Sequence, residues 1–170
     1  MGGSSIMALI KLNNQSISAV TALPSSISTG ITMTDQWRLN SNRSGTGAIT
    51  SDLERVDTAG FGVLGTGMSF SSGVFTFPST GIYQINANFY TSTGGHADII
   101  TTTDNSVYTD ACRINYEGAD TYSGTFVFDV TDVSTHKLKF DVKVLVSSGV
   151  LYGDTNINRT YFTFIRLGDT

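Results

Sequence analysis

The chain is poor in the residues on which most catalytic and redox sites depend. Its 170 residues include one cysteine, two histidines, two prolines, two glutamates and one tryptophan, and charged residues make up only 14%. A lone cysteine forms no internal disulfide, so the fold must rest on packing and on contacts between copies, and Cys112 reads as a small buried hydrophobe. The two histidines, His96 beside Gly94-Gly95 and His136 ahead of an alternating segment, fit no metal-ligand spacing and no His-Glu-x-x-His pattern. Nothing resembles a Gly-x-Ser-x-Gly elbow. With Glu54 and Glu117 the only glutamates, a glycosidase pair would have to come from aspartates in turn-like segments, where Asp is favoured for its backbone hydrogen bonds. Asp104, Asn105, Asp129, Asp132, Asp154 and Asn156 offer hard oxygen ligands, but none matches the twelve-residue calcium-loop spacing, and all are read as turn residues. The expectation is a protein that is not an enzyme and uses no cofactor or metal.

Basic charge is scarce as well. The formal net charge is −4 and the ten lysines and arginines are thinly spread, which argues against a nucleic-acid partner, since phosphate binding draws on clustered cations. Lys137, Lys139 and Lys143 form the one local group, and Asp141 stands at the same period among them. Long apolar runs are missing too. The first, Ile6 to Ile10, stops at Lys11 and is too short for a signal-peptide core or a membrane span. Met1-Gly2 lacks the Ser or Thr that a myristoylation motif needs where Ile6 stands. The expected product is soluble, made in the cytoplasm and not bound to membrane, so the sequons at Asn14, Asn42 and Asn158 count as chance.

Strand signals are abundant. From residue 31 onward, short apolar runs alternate with polar residues and are bounded by Gly, Asn, Asp or Ser. Leu138, Phe140, Val142, Val144 and Val146 alternate with Lys137, Lys139, Asp141, Lys143 and Leu145, which predicts a half-buried strand with Leu145 turned outward. Tyr83, Ile85, Ala87 and Phe89 repeat the pattern, as do Phe126, Phe128 and Val130. Further strands are expected at Asp35 to Leu39, Gly62 to Phe70, Val74 to Phe77, Ala97 to Thr102, Arg113 to Tyr116 and Tyr161 to Leu167. About ten antiparallel strands without a helical period make an all-β sandwich or jelly roll. A domain of this length buries on the order of 70% of the surface its unfolded chain exposes. Residues 1–30 differ, with no aromatic residue and few core-forming groups. They read as an extended N-terminal arm whose contacts would come from Ile10, Leu12, Ile17 and Val20, followed by one domain over 31–170.

Two segments narrow the fold. Phe75-Thr76-Phe77-Pro78-Ser79-Thr80-Gly81-Ile82-Tyr83 and the closing Tyr161-Phe162-Thr163-Phe164-Ile165-Arg166-Leu167 resemble the signature strands of the tumour necrosis factor and complement globular-head superfamily. In that family a Phe-x-Phe-Pro-x-x-Gly-x-Tyr hairpin and an aromatic last strand belong to a trimer-forming jelly roll. Asp52-Leu53-Glu54-Arg55-Val56-Asp57, Gly60-Phe61-Gly62, Gly65-Thr66-Gly67-Met68 and the terminal Arg166-Leu167-Gly168-Asp169-Thr170 look like virion proteins of tailed phages of marine bacteria and cyanobacteria.

The resemblance implies a homotrimer in which Tyr161, Thr163, Ile165 and Leu167 face a threefold axis while Phe162 and Phe164 pack inward. The same pattern also fits a central strand covered on both sides within one subunit. The implied role is a noncatalytic capsid decoration or cement protein of the virion, touching the major capsid protein or other virion proteins through its arm. The alternative is a host-recognition module of a tail or head fibre, binding a surface glycan through loops carrying His96, Tyr108, Tyr122 and Tyr152. Trp37, Tyr90 and Tyr116 are further aromatic candidates for stacking on sugars.

Overall fold

The computed structural model describes residues 30–170. Thirteen β-segments follow one another: β1 (Met33–Leu39), β2 (Arg43–Ser44), β3 (Gly47–Ala48), β4 (Leu53–Arg55), β5 (Ser69–Ser71), β6 (Val74–Thr76), β7 (Gly81–Thr91), β8 (Gly95–Thr102), β9 (Thr109–Tyr116), β10 (Asp120–Val130), β11 (Lys137–Leu145), β12 (Val150–Leu151) and β13 (Tyr161–Gly168). Three of these are two-residue pairings. The all-β expectation holds, and every pairing between the strands is antiparallel.

The strands form two sheets. The first runs β2-β12-β7-β13-β1-β4, with β10 paired to the other edge of β7; the second runs β5-β6-β11-β8-β9, with β3 also paired to β11. Strict alternation in β7 buries Tyr83, Ile85, Ala87 and Phe89 and turns Gln84, Asn86 and Asn88 away from the core. The core between the sheets is largely aromatic. Phe140 of the second sheet stacks on Phe162 of the first, centroids 3.6 Å apart and planes 8° from parallel, and Phe75 meets Phe164 at 5.0 Å. Trp37 closes one flank against Phe70 and Phe75. On the other flank β9 and β10 are joined by a short turn and lie edge to edge. Gly124 permits this, because a Cβ there would come within 2.5 Å of Ile114 and 3.0 Å of the Cys112 sulfur.

One carboxylate lies inside. Asp35, 1% exposed, accepts hydrogen bonds from Arg55 Nε and Nη2 (3.0 and 3.1 Å), Trp37 Nε1 (2.9 Å) and the Met68 amide (2.8 Å). It ties β1 and β4 to the segment leading into β5, as a buried charge must be paired to persist.

Two local expectations change. The predicted strand over Gly62 to Phe70 reduces to a single bridge between Leu64 and Thr34 followed by β5. Gly65, at φ +65°, sits where a Cβ would lie 2.4 Å from the Thr32 carbonyl oxygen, so the chain turns there instead of extending. In β11 a bulge between Val142 and Val144 reverses the alternation. Val144 is exposed and Leu145 packs against the core, the opposite of the sequence expectation. Arg166, at the core-facing parity of β13 where the pairing with β7 shifts register, donates to the Thr80 carbonyl (2.9 Å) and pairs with Asp169.

Candidate assembly interface

The two sheets present different chemistry on their outer faces. On the second sheet the outward face carries a group of ion pairs. Arg113 makes a double hydrogen bond to the fully buried Asp98 (3.0 and 2.8 Å), and Lys143 bridges Asp141 (2.9 Å) and Asp110 (3.2 Å). Lys139 lies 3.7 Å from the centre of the Tyr108 ring. For Asp98, burial opposes ionisation, but the Arg113 guanidinium outweighs it and holds the carboxyl below its ordinary range.

The first sheet has almost no such charge. Register places its outward residues in rows across β10, β7, β13 and β1: Ser123, Asn88, Tyr161 and Arg38; Thr125, Asn86, Thr163 and Gln36; Val127, Gln84, Ile165 and Thr34. Leu64 extends the third row beyond Thr34. Among these, only Arg38 is ionic. It is fully buried, with its charge matched by Glu54 and Asp57. Asp129 stands at the rim. The second row is a ladder of neutral hydrogen bonds, Gln36 Nε2 to Thr163 Oγ1 at 2.7 Å and Thr125 Oγ1 to Asn86 Oδ1 at 2.6 Å. The third row carries the apolar groups, with Val127 53% exposed. A face whose charge is confined to the paired Arg38 and to Asp129 at the rim, and which carries an apolar row, has the composition found at the core of protein interfaces, where charged residues are depleted.

No family model matches the chain, and no curated protein matches it in sequence. Solved structures do match its fold. Murine APRIL, in its pH 5.0 crystal structure, superposes with a TM-score of 0.58 at 10% identity, over 82% of this chain and 100% of that one. The Eiger TNF structure from S. frugiperda gives 0.57 at 8% identity, over 84% and 96%. The globular domain of the zebrafish complement 1qA protein gives 0.50 at 11%, over 78% and 94%. The fold is a TNF-like jelly roll. At these identities the likeness is one of architecture.

Within the jelly roll, Tyr161, Thr163 and Ile165 lie side by side on the outer face of the first sheet, each half-buried, and Leu167 follows at the strand end, 46% exposed. Phe162 and Phe164 point into the core with no exposure. The arm residues Ile10, Leu12, Ile17 and Val20 lie outside the described residues.

The four residues named for a glycan loop are not brought together. His96 is on β8, in a strand and not a loop, paired with Val144 and Asn115. Tyr108 lies at the opposite end of the sandwich, under Lys139. Tyr122 packs toward the core, 5.9 Å from Tyr116, and its hydroxyl accepts the Gly118 amide. Tyr152 pairs with Tyr90 at 4.8 Å, with Arg159 6.0 Å from both rings. Trp37 is used in the core.

Of the aspartates read as turn residues, Asp129 instead lies within β10, paired with Ile82, and the other three sit in turns. Asp104 accepts the Ser106 and Val107 amides (2.8 Å each), Asp132 the Ser134 hydroxyl (2.6 Å) and amide (2.8 Å), and Asp154 the Asn156 amide (2.8 Å). These hydrogen bonds favour the charged form and lower all three carboxyls.

Sequence reasoning missed the partners of β13 on this face, namely Gln84, Asn86, Thr125, Val127 and Gln36. A signal was available in β7, whose outward positions Gln84, Asn86 and Asn88 are all uncharged amides. It missed Arg38 altogether, because an arginine at an outward strand position ordinarily reads as solvent-facing.

Proposed function

We propose that the protein is a noncatalytic structural component of a phage virion and assembles as a homotrimer through the outer face of its first sheet. The observation that carries the reading is the contrast between the two sheet faces: laced with ion pairs on the second sheet, while over β10, β7, β13 and β1 on the first the charge is confined to the paired, buried Arg38 and to Asp129 at the rim. Such a face loses little by desolvation and gains from burying Ile165, Val127 and Leu64. A threefold ring needs a heterologous contact, in which one region of a subunit meets a different region of its neighbour. The wide face, apolar in one row and hydrogen-bonding in the next, supplies both.

The phage-like segments around Asp52–Asp57 and Arg166–Thr170 support a virion protein, and capsid decoration is the reading taken for its place on the particle. The protein decorates the capsid and braces the shell, with residues 1–30 reaching the major capsid protein or a neighbouring virion protein. The mechanism is burial of surface between subunits, with no bond made or broken.

Multi-angle light scattering on the purified protein and on Tyr161→Asp and Ile165→Asp tests the assembly. A trimer that dissociates in both variants, with circular dichroism unchanged, supports it. Locating the protein on purified virions by immunogold labelling tests the placement: signal over the head supports decoration, and signal confined to the tail contradicts it.

A further inference from the structure

At the β1 edge of the assembly face, which it meets at Gln36, two loops stand above the first sheet and enclose an open groove of about 330 Å³. Its polar lining comes from Gln36, Thr58, Asn156 and Asn158, and its apolar lining includes Phe61 and Ile157. The groove is built, because a buried arginine holds both loops. Arg38 donates from Nε to Glu54 (2.7 Å) and from Nη1 to Thr58 Oγ1 (2.8 Å), and from Nη2 to Asp57 and to the Thr155 carbonyl. Thr155 Oγ1 also donates to Glu54 (2.9 Å), and Thr58 Oγ1 to the Asn156 carbonyl (3.3 Å). Asn158 Nδ2 donates to Gln36 Oε1 (2.6 Å), which fixes the floor. Burying a guanidinium at an outward strand position to fix two surface loops is costly for stability alone. It is the support that a binding site requires.

We propose that this groove binds a neutral saccharide. Three side-chain amides and a hydroxyl converge on it with no formal charge in the lining, which suits neighbouring hydroxyl groups that each donate and accept. Among the described residues, Asn156 Oδ1 and Asn158 Oδ1 and one N–H each of Gln36 and Asn158 have no protein partner, so they are free to meet such groups. Phe61 and Ile157 supply the apolar surface against which the C–H face of a sugar ring packs. The volume lies at the lower end of the ~300–1,000 Å³ typical of small-ligand sites. The absence of charge disfavours phosphorylated, sulfated or uronic sugars. This gives the virion protein a second, host-recognising activity at residues distinct from His96, Tyr108, Tyr122 and Tyr152.

The test titrates the protein in its native assembly state with glucose, galactose, mannose, N-acetylglucosamine and glucuronic acid, following the side-chain amide signals of Gln36, Asn156 and Asn158 by NMR. Saturable shifts with at least one neutral sugar are expected. Asn158→Ala should weaken binding about tenfold, as loss of one or two hydrogen bonds to a bound hydroxyl does, and Asn156→Ala with Asn158→Ala should abolish it. Lys139→Ala, on the opposite sheet, should bind like the parent. No saturable shift with any neutral sugar, tighter binding of glucuronic acid than of every neutral sugar, or binding that survives the double substitution overturns the proposal. Light scattering on the same samples separates this site from the assembly: shifts in a monomer keep the saccharide site and remove the trimer, and a trimer without shifts does the reverse.

Discussion

Phe140 shows how much single side chains carry in this core. Its ring lies flat on Phe162 and edge-on to Phe75, bridging the two sheets with no exposure worth the name. Truncation to alanine opens a cavity between sheets that cannot close without distorting strand pairing, so Phe140→Ala should cost about 3–5 kcal/mol in urea unfolding. Asp35 is the polar counterpart. Asp35→Ala strands Arg55, Trp37 Nε1 and the Met68 amide together and should also cost about 3–5 kcal/mol, whereas Arg55→Ala should cost less, because the carboxylate keeps its other donors and Arg55 is 41% exposed. The lowered carboxyls give a pH signature. Asp98, Asp104, Asp132 and Asp154 ionise more readily in the folded protein than in the unfolded chain. Their contribution is complete above the unfolded value of about 3.9 and is lost as pH falls toward their native values. Thermal midpoints should therefore hold steady from neutral pH to about 4.5 and fall below about 4, and Asp98→Asn should flatten part of that fall.

At the scale of elements, the strands were legible where a period of two ran unbroken and opaque where backbone geometry interrupted it. β7 and β10 follow their alternation from end to end and β13 follows it as far as Ile165, so Phe162 and Phe164 inside and Thr163 and Ile165 outside could be assigned from the pattern alone. In β11 the pattern Leu-x-Phe-x-Val-x-Val continues past the point where the strand itself changes register. The cause lies on β8: Gly95, at φ +150°, would place a Cβ 2.0 Å from the Val144 carbonyl oxygen, so the bulge and the glycine require each other. A bulge set by a glycine on the neighbouring strand leaves no mark in the bulged sequence. Gly95→Ala should lower stability by about 1–3 kcal/mol, read by thermal denaturation. The groove was invisible for a related reason. Its parts, Gln36 on β1, Thr58 after β4 and Asn156 before β13, are distant in sequence and ordinary one by one, and the loops are brought together by Arg38 with the Thr58–Asn156 and Thr155–Glu54 hydrogen bonds.

At the scale of the whole molecule, the division of labour between sheets is the organising feature. Salt bridges such as Lys143 with Asp110 and Asp141 charge the second sheet's face, while the first sheet carries neutral amides, hydroxyls and an apolar row, which in the proposed assembly meet a partner. A charge placed in that row has to be buried unpaired when subunits meet, so it should act on association far more than on folding. The most direct test is the solution mass of the 18.2 kDa chain by multi-angle light scattering, alone and with Ile165→Asp. The account predicts three times the chain mass for the parent and the single-chain mass for the folded variant; a parent that runs as a monomer, or an Ile165→Asp protein that stays trimeric, contradicts it.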